Sequence, residues 1–288
     1  MKVEFFGVRG SAPASGRAFV RYGGNTSCVA LSRDGESPSL VLDAGTGLRR
    51  LARALDHVPF VGTILLGHLH LDHVLGLPFF PAAEHPASRT RVLIPEQGPA
   101  EAVLERVLAP PTFPLRPAEL RGRWEFAGLR PGFADIEGFS VLARDIPHGG
   151  GRTFGFRISD GTGTLAYLSD HSPSRAGAGP DGLGAYHDAA RELAAGADVL
   201  VHDAQHLAAE FPAKAFLGHS AVEYAEGLAE EAGVGTLVLF HHDPDRADEE
   251  LDRVVDRSRT SAVPVVAAFE GLAIDVQRAR LEMPAPVG

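Results

Sequence analysis

His68-Leu69-His70-Leu71-Asp72-His73 places three histidines and an aspartate within six residues, between the apolar runs 63–66 and 74–80. Alternate side chains of an extended segment share a side, so His68 and His70 project together and their imidazoles can converge on one cation. The turn that follows swings Asp72 and His73 toward a neighbouring position, and one short loop can thus feed two metal ions. A lone histidine is by default a solvent-facing loop residue, but a cluster this dense against apolar flanks is costly to bury without a cation. Cys28 is the only cysteine, which excludes an intramolecular disulfide and a cysteine-rich zinc cluster and leaves His and Asp to supply ligands.

Upstream of the loop, β-rich runs at 3–8, 27–32 and 40–42 are separated by Gly, Pro, Asn and Asp and read as sheet; Asp43-Ala44-Gly45-Thr46-Gly47 then leads into a helix over 48–55. Residues 63–66 form a buried strand running straight into the histidines, and 91–94, 124–126, 139–143, 154–158 and 164–168 read as further strands. Past Asp170 the pattern alternates: helix 186–195, strand 198–201, helix 221–232, strand 236–240, helix 247–257, then strands 265–269 and 272–276. Strands first, then alternating strand and helix, predict two sheets packed face to face with helices outside, as one domain over residues 1–288. Segments 176–184 (Gly-rich) and 110–117 (Pro-rich) are expected as exposed loops, and the segment 108–120 as a lid or a homodimer contact.

A chain of 288 residues with 44 % hydrophobic and 22 % charged side chains has the balance of a globular protein. Its formal charge of −10 and the absence of a basic tract argue against a long polyanionic partner. Glu4 and Arg9 interrupt any signal-peptide core, and no run of eighteen apolar residues offers a membrane span. A cytoplasmic protein without a membrane partner is expected.

His-x-His-x-Asp-His resembles the signature of metallo-β-lactamase-fold hydrolases, and the order of His and Asp residues downstream is similar too. The resemblance implies a four-layer αββα sandwich of two mixed sheets. It also implies His68, His70 and His148 on one metal, Asp72, His73 and His241 on a second, and Asp170 shared between them. Each downstream residue has a plainer reading: His148 before Gly149-Gly150-Gly151 can end a strand, and Asp170 can cap a turn. His241 and His242 are adjacent, so only one can face the site from a strand; His241 fits the family spacing, and His242 is left to support it or face the surface. Asp43 is expected to brace the histidine loop. Neutral imidazoles and carboxylates suit two divalent ions, zinc first, with manganese or iron also compatible. Two such ions about 3.5–4 Å apart lower the pKa of a shared water and stabilise the entering and leaving oxygens of a displacement.

Two further segments resemble the phosphodiesterase branch of this fold, which includes tRNase Z and cyclic-phosphate phosphodiesterases: Leu200-Val201-His202-Asp203-Ala204-Gln205 and Gly218-His219-Ser220. There the paired carboxylate and histidine supply a proton, which implies that Asp203 orients His219 and that His219 protonates the leaving oxygen. The plainer reading is that Ser220 caps the next helix. tRNase Z typically carries a tRNA-binding arm between its third histidine and the bridging aspartate, whereas residues 149–169 suffice only for two strands and the turn Asp160-Gly161-Thr162-Gly163. The expected enzyme therefore acts on a small or cyclic phosphodiester through a hydroxide bridging two ions, with folded RNA disfavoured. The alternatives are a carboxylic-ester, thioester or lactone hydrolase on the same ions, and a metal-bound sensor without turnover. Asn25 and Thr26, in a loop beside Gly7-Val8-Arg9-Gly10-Ser11, are expected to hydrogen-bond substrate.

Overall fold

The computed structural model describes residues 1–56, 58–277 and 280–282. Among them, strands β1 (Lys2–Gly7), β2 (Cys28–Ser32), β3 (Leu40–Leu42), β4 (Val61–Leu65), β5 (Arg89–Pro95) and β6 (Trp124–Leu129) build most of a first sheet. A second sheet takes β7 (Gly132–Ile136), β8 (Phe139–Asp145), β9 (Phe154–Ser159), β10 (Thr164–Leu168), β11 (Val199–Asp203), β12 (Thr236–Phe240) and β13 (Val265–Ala267). β14 (Ala273–Asp275) and β15 (Arg280–Glu282) return to the first sheet, giving the orders β15-β14-β1-β2-β3-β4-β5-β6 and β13-β12-β11-β10-β9-β8-β7. Both sheets are mixed: β3 through β6 and β10 through β13 run parallel, while β1–β2 and β7–β10 pair antiparallel.

Helices α1 (Leu48–Ala54), α2 (Leu71–Val74), α3 (Pro81–Glu84) and α4 (Ala100–Leu104) lie along the first sheet. α5 (Asp188–Ala194), α6 (Phe211–Lys214), α7 (Val222–Glu231) and α8 (Asp248–Ser258) lie along the second. Apolar side chains divide accordingly. Val3, Phe5, Leu42, Phe156, Tyr167 and Phe240 fill the space between the sheets. Leu48, Leu51, Ile64 and Val103 join the first sheet's outer face to its helices, and Leu193, Leu200, Leu228 and Leu239 do so on the other side. Each fully buried Leu, Val or Phe contributes about 1.5–3 kcal/mol, and parallel strands covered on both faces can be apolar at every position. That is why β3 is wholly apolar and β10 and β12 are apolar after an opening threonine, and all three match their expected bounds.

Departures from the expected elements have local causes. β7 escapes a pattern search because Phe133 is exposed and a glycine opens the strand. α2, α3 and α6 are single turns of four residues, too short for helical periodicity to register. Segment 110–117 is mostly exposed, as expected, and is anchored by buried Leu108 and Pro117 and by Phe113, whose ring lies edge-on to Phe79. Between β9 and β10, Asp160 accepts hydrogen bonds from the Thr162 and Gly163 amides and closes the tight turn expected there.

Candidate metal centre

The site lies where parallel strands of both sheets end. β4 delivers His68 and His70, the single turn α2 carries Asp72 and His73, β10 ends just before Asp170, and β12 ends just before His241. His148 comes from the loop after β8 and faces the same point. Ligand atoms gather in two groups: His68, His70 and His148, then Asp72, His73, Asp170 and His241, with the atoms of each group within 4.8 Å of one another. Asp170 spans both, with Oδ2 3.1 Å from His73 Nε2 and Oδ1 3.7 Å from His148 Nε2. All seven expected ligands are thus brought together.

The outer nitrogens of three of these rings explain why the inner ones converge. His148 Nδ1 donates to the Gly218 carbonyl at 2.7 Å, His73 Nδ1 lies 2.9 Å from Asp43 Oδ2, and His241 Nδ1 lies 3.0 Å from Gln205 Oε1. At His148 and His241 the Nδ1 proton is committed outward, leaving an Nε2 lone pair aimed inward; His73 Nδ1 faces the Asp43 carboxylate as a close charge contact without a hydrogen bond. His148 Nε2 sits 3.3 Å from His70 Nδ1, and His73 Nε2 3.4 Å from His241 Nε2. His68 is buried with no hydrogen-bond partner for either ring nitrogen. Buried polar atoms in native proteins are almost always satisfied, and facing lone pairs repel, so this donor set fits divalent cations.

Charge follows the same logic. Burial pushes the His68 pKa well below its ordinary value. Burial also opposes charge on His73, but Asp170, Asp72 and Asp43 outweigh it and raise its pKa. Asp72 is held well below the usual carboxylate range, since His73 and His241 overcome the effect of burial.

Asp43 braces the loop as expected: Oδ1 accepts the Gly67 amide at 2.8 Å, and Oδ2 accepts the Tyr167 and Ser169 hydroxyls at 2.7 and 3.2 Å. Asp43 and His241 both have positive φ, 60° and 56°, the kind of backbone strain that a tightly determined site holds. Glycines make room. A Cβ on Gly10 would fall 2.2 Å from His241 Nδ1, and one on Gly150 would fall 2.6 Å from His70 Nε2. His242 turns away, buried, with Nε2 donating to the Ala268 carbonyl and its pKa lowered to about 3 by burial and by Arg9.

A cavity of about 410 Å³ opens onto the cluster, lined by Ser11, His70, Leu71, Asp72, His148, Asp170, Gln205, Leu217 and His219. No lysine or arginine is in that lining. His219 Nδ1 lies 2.9 Å from Asp203 Oδ2. Burial lowers the His219 pKa, but Asp203 outweighs it and the value is pushed up to about 9.

Asn25 and Thr26 do not line this cavity, contrary to the expectation that they bind substrate. Asn25 donates its side-chain amide to Glu270 at 3.0 Å. Thr26 is fully buried, and it and Thr46 each donate a backbone amide to the other's hydroxyl at 2.9 Å. Both hold loops together. Gln205 and Ser11 were not singled out as site residues from the sequence. Gln205 steadies His241 and donates to the Ser11 hydroxyl, while the Ser11 amide donates to Asp72 at 2.8 Å. Their local signal was only proximity to Asp203 and to Gly10, each already part of a quoted motif.

Residues 39–242 match the beta-lactamase superfamily domain, and the chain belongs to that family. Within it, the chain is a metal-dependent hydrolase. Ribonuclease Z of Haloarcula marismortui is 25 % identical over 99 % of this chain and 98 % of its own length. Ribonuclease BN of Escherichia coli is 51 % identical, but over 55 residues, 19 % of this chain and 18 % of its own. The fold is shared with the metallo-beta-lactamase fold protein YhfI from Bacillus subtilis (TM-score 0.72, 18 % identity, 95 % and 99 % of the two chains). It is also shared with a diphosphatase from the PhnP family (TM-score 0.70, 19 % identity, 95 % and 97 % covered). Among the described residues no helix is long and apolar enough to cross a membrane.

Proposed function

We propose that this hydrolase is a phosphodiesterase acting on a small or cyclic phosphodiester, with His219 as proton donor to the leaving oxygen. The observation that carries the reading is the His219–Asp203 pair at the edge of the metal cluster, with His219 Nδ1 also 3.9 Å from Asp170 Oδ1. A phosphodiester expels an alkoxide, a poor leaving group that gains from protonation. Asp203 accepts a hydrogen bond from Nδ1–H and keeps the ring charged, so Nε2–H is left for the cavity. His68, His70 and His148 would hold one divalent ion, Asp72, His73 and His241 the other, with Asp170 between them; zinc suits the set, as do manganese and iron. When bound, such ions supply Lewis acidity and a water of lowered pKa.

A cavity without lysine or arginine supports a small substrate over a folded polyanion, as does the short connection between His148 and Asp170. Relatives named ribonuclease Z and a diphosphatase neighbour support chemistry at phosphorus. The test replaces His219 by Ala and compares two diesters. Cleavage of an alkyl phosphodiester should slow by about 10²–10⁴, while an activated nitrophenyl diester is spared. Equal loss on both refutes the donor role, and turnover of lactones or thioesters without any phosphodiester would replace the reading.

A further inference from the structure

Behind the metal cluster, three more imidazoles form a line that the proposed reaction does not use. His171 directly follows Asp170, His202 directly precedes Asp203, and His187 stands just before α5. His202 Nδ1 is 2.7 Å from the backbone oxygen of Asp203, which can only accept, so the proton sits on Nδ1 and Nε2 is a lone pair. His171 Nδ1 is 3.0 Å from that Nε2 and must therefore donate. His171 Nε2 is then an acceptor, and His187 Nε2, 2.7 Å away, supplies the proton. One set of tautomers satisfies all three bonds, and it points from the half-buried His187 inward. Burial lowers the pKa of His187 and of His202, which keeps both neutral.

The residue in the middle holds Asp203 and the neighbour of His219. The His171 backbone amide donates to Asp203 Oδ2 at 3.0 Å, the same oxygen that accepts from His219. The His171 carbonyl accepts the hydroxyl of Ser220, the neighbour of His219, at 2.7 Å. A relay of protons through the rings is excluded by the chain's inner end: a peptide carbonyl cannot pass a proton on. What the line can do is fix where His171, and hence Asp203, sits.

We infer that the His187–His171–His202 chain positions the Asp203–His219 pair, and that His187 is the residue on which its register depends. This rests on the reading of His219 as proton donor. It predicts that His187→Leu, which strips a buried nitrogen of its donor outside the metal cluster, lowers kcat for an alkyl phosphodiester about tenfold. KM, bound metal and turnover of a nitrophenyl diester stay as in the wild type, and His187→Gln, whose amide can donate, restores the rate. Imidazole nitrogen NMR of the metal-loaded protein reads the chain without turnover. His171 and His202 should be protonated at Nδ1 and His187 at Nε2, and the His219 Nδ1–H resonance should move in His187→Leu but not in His187→Gln. A His171 protonated at Nε2 overturns the inference, as does a His187→Leu enzyme with full activity on the alkyl diester, or equal losses on both diesters. A wild type inert to every phosphodiester, with these resonances as described, overturns the donor reading alone.

Discussion

Two groups of largely buried imidazoles are linked through Asp203 and His219, and they differ in where their lone pairs point. In front, His70 faces His148 and His73 faces His241 at 3.3–3.4 Å, with the outer protons of His148 and His241 committed elsewhere. Behind, His187, His171 and His202 alternate donor and acceptor at 2.7–3.0 Å. Residue type and burial are shared, so neither decides the role of a histidine. Direction does: convergent lone pairs call for a cation, and alternating ones satisfy each other.

The sharpest way to break this contrast is to take the cations away. Chelation should abolish hydrolysis, with a loss of at least about a thousandfold, since the ions supply several kcal/mol of charge stabilisation. It should also lower the Tm: ligand at about a hundred times its Kd contributes ~2.7 kcal/mol, on the order of 5 °C for a chain of this size. Zinc or manganese should restore both. His73→Ala should start low and respond little to added metal, whereas His187→Leu should keep the full metal-dependent Tm shift. If chelation left the Tm and activity of the wild type untouched, the front group would be no different in kind from the rear one.

A smaller effect separates the two groups by pH. Burial lowers the His219 pKa and Asp203 raises it, for a net value of about 9. Bound cations add positive charge nearby and bring it down from there. A donor works only while protonated, so kcat for an alkyl phosphodiester should fall as pH rises through this pKa, while the nitrophenyl diester shows no such limb. Asp203→Asn removes the charge that raises the pKa. The limb should move to lower pH and the plateau should drop about 10–100-fold. An unmoved limb in Asp203→Asn would assign the titration to another group.

How much could be read in advance follows from how far each signal reaches along the chain. β10 and β12 were legible to the residue because, after an opening threonine, every position is apolar and buried. The loop from His68 to His73 was legible because four ligands sit on one turn and its approach, so their convergence is local. His148, Asp170 and His241 carry no such density, and only the family pattern tied them to the loop. His171 and His187 gave no signal at all, because the bonds that define their role join β10, β11 and the start of α5, which meet only in the folded chain. Asn25 and Thr26 were misread for a related reason: polar residues among loop glycines look alike whether they face a ligand or staple two loops.

That correction gives the smallest and most exposed prediction. Asn25 holds Glu270, which in turn pairs with Arg50 at 3.4 Å, while Thr26 and Thr46 lock the loop before β2 to the loop before α1. Thr26→Val keeps the shape but leaves the Thr46 amide without its acceptor, a loss of about 1–3 kcal/mol for a buried donor. Asn25→Ala gives up one half-buried hydrogen bond, about 1 kcal/mol. Denaturation should register both changes, in that order, and KM should register neither, because neither side chain borders the cavity that holds Ser11, Gln205 and His219. A raised KM with unchanged stability in Asn25→Ala would return that residue to the substrate and reopen the loop beside Gly10 as part of the binding surface.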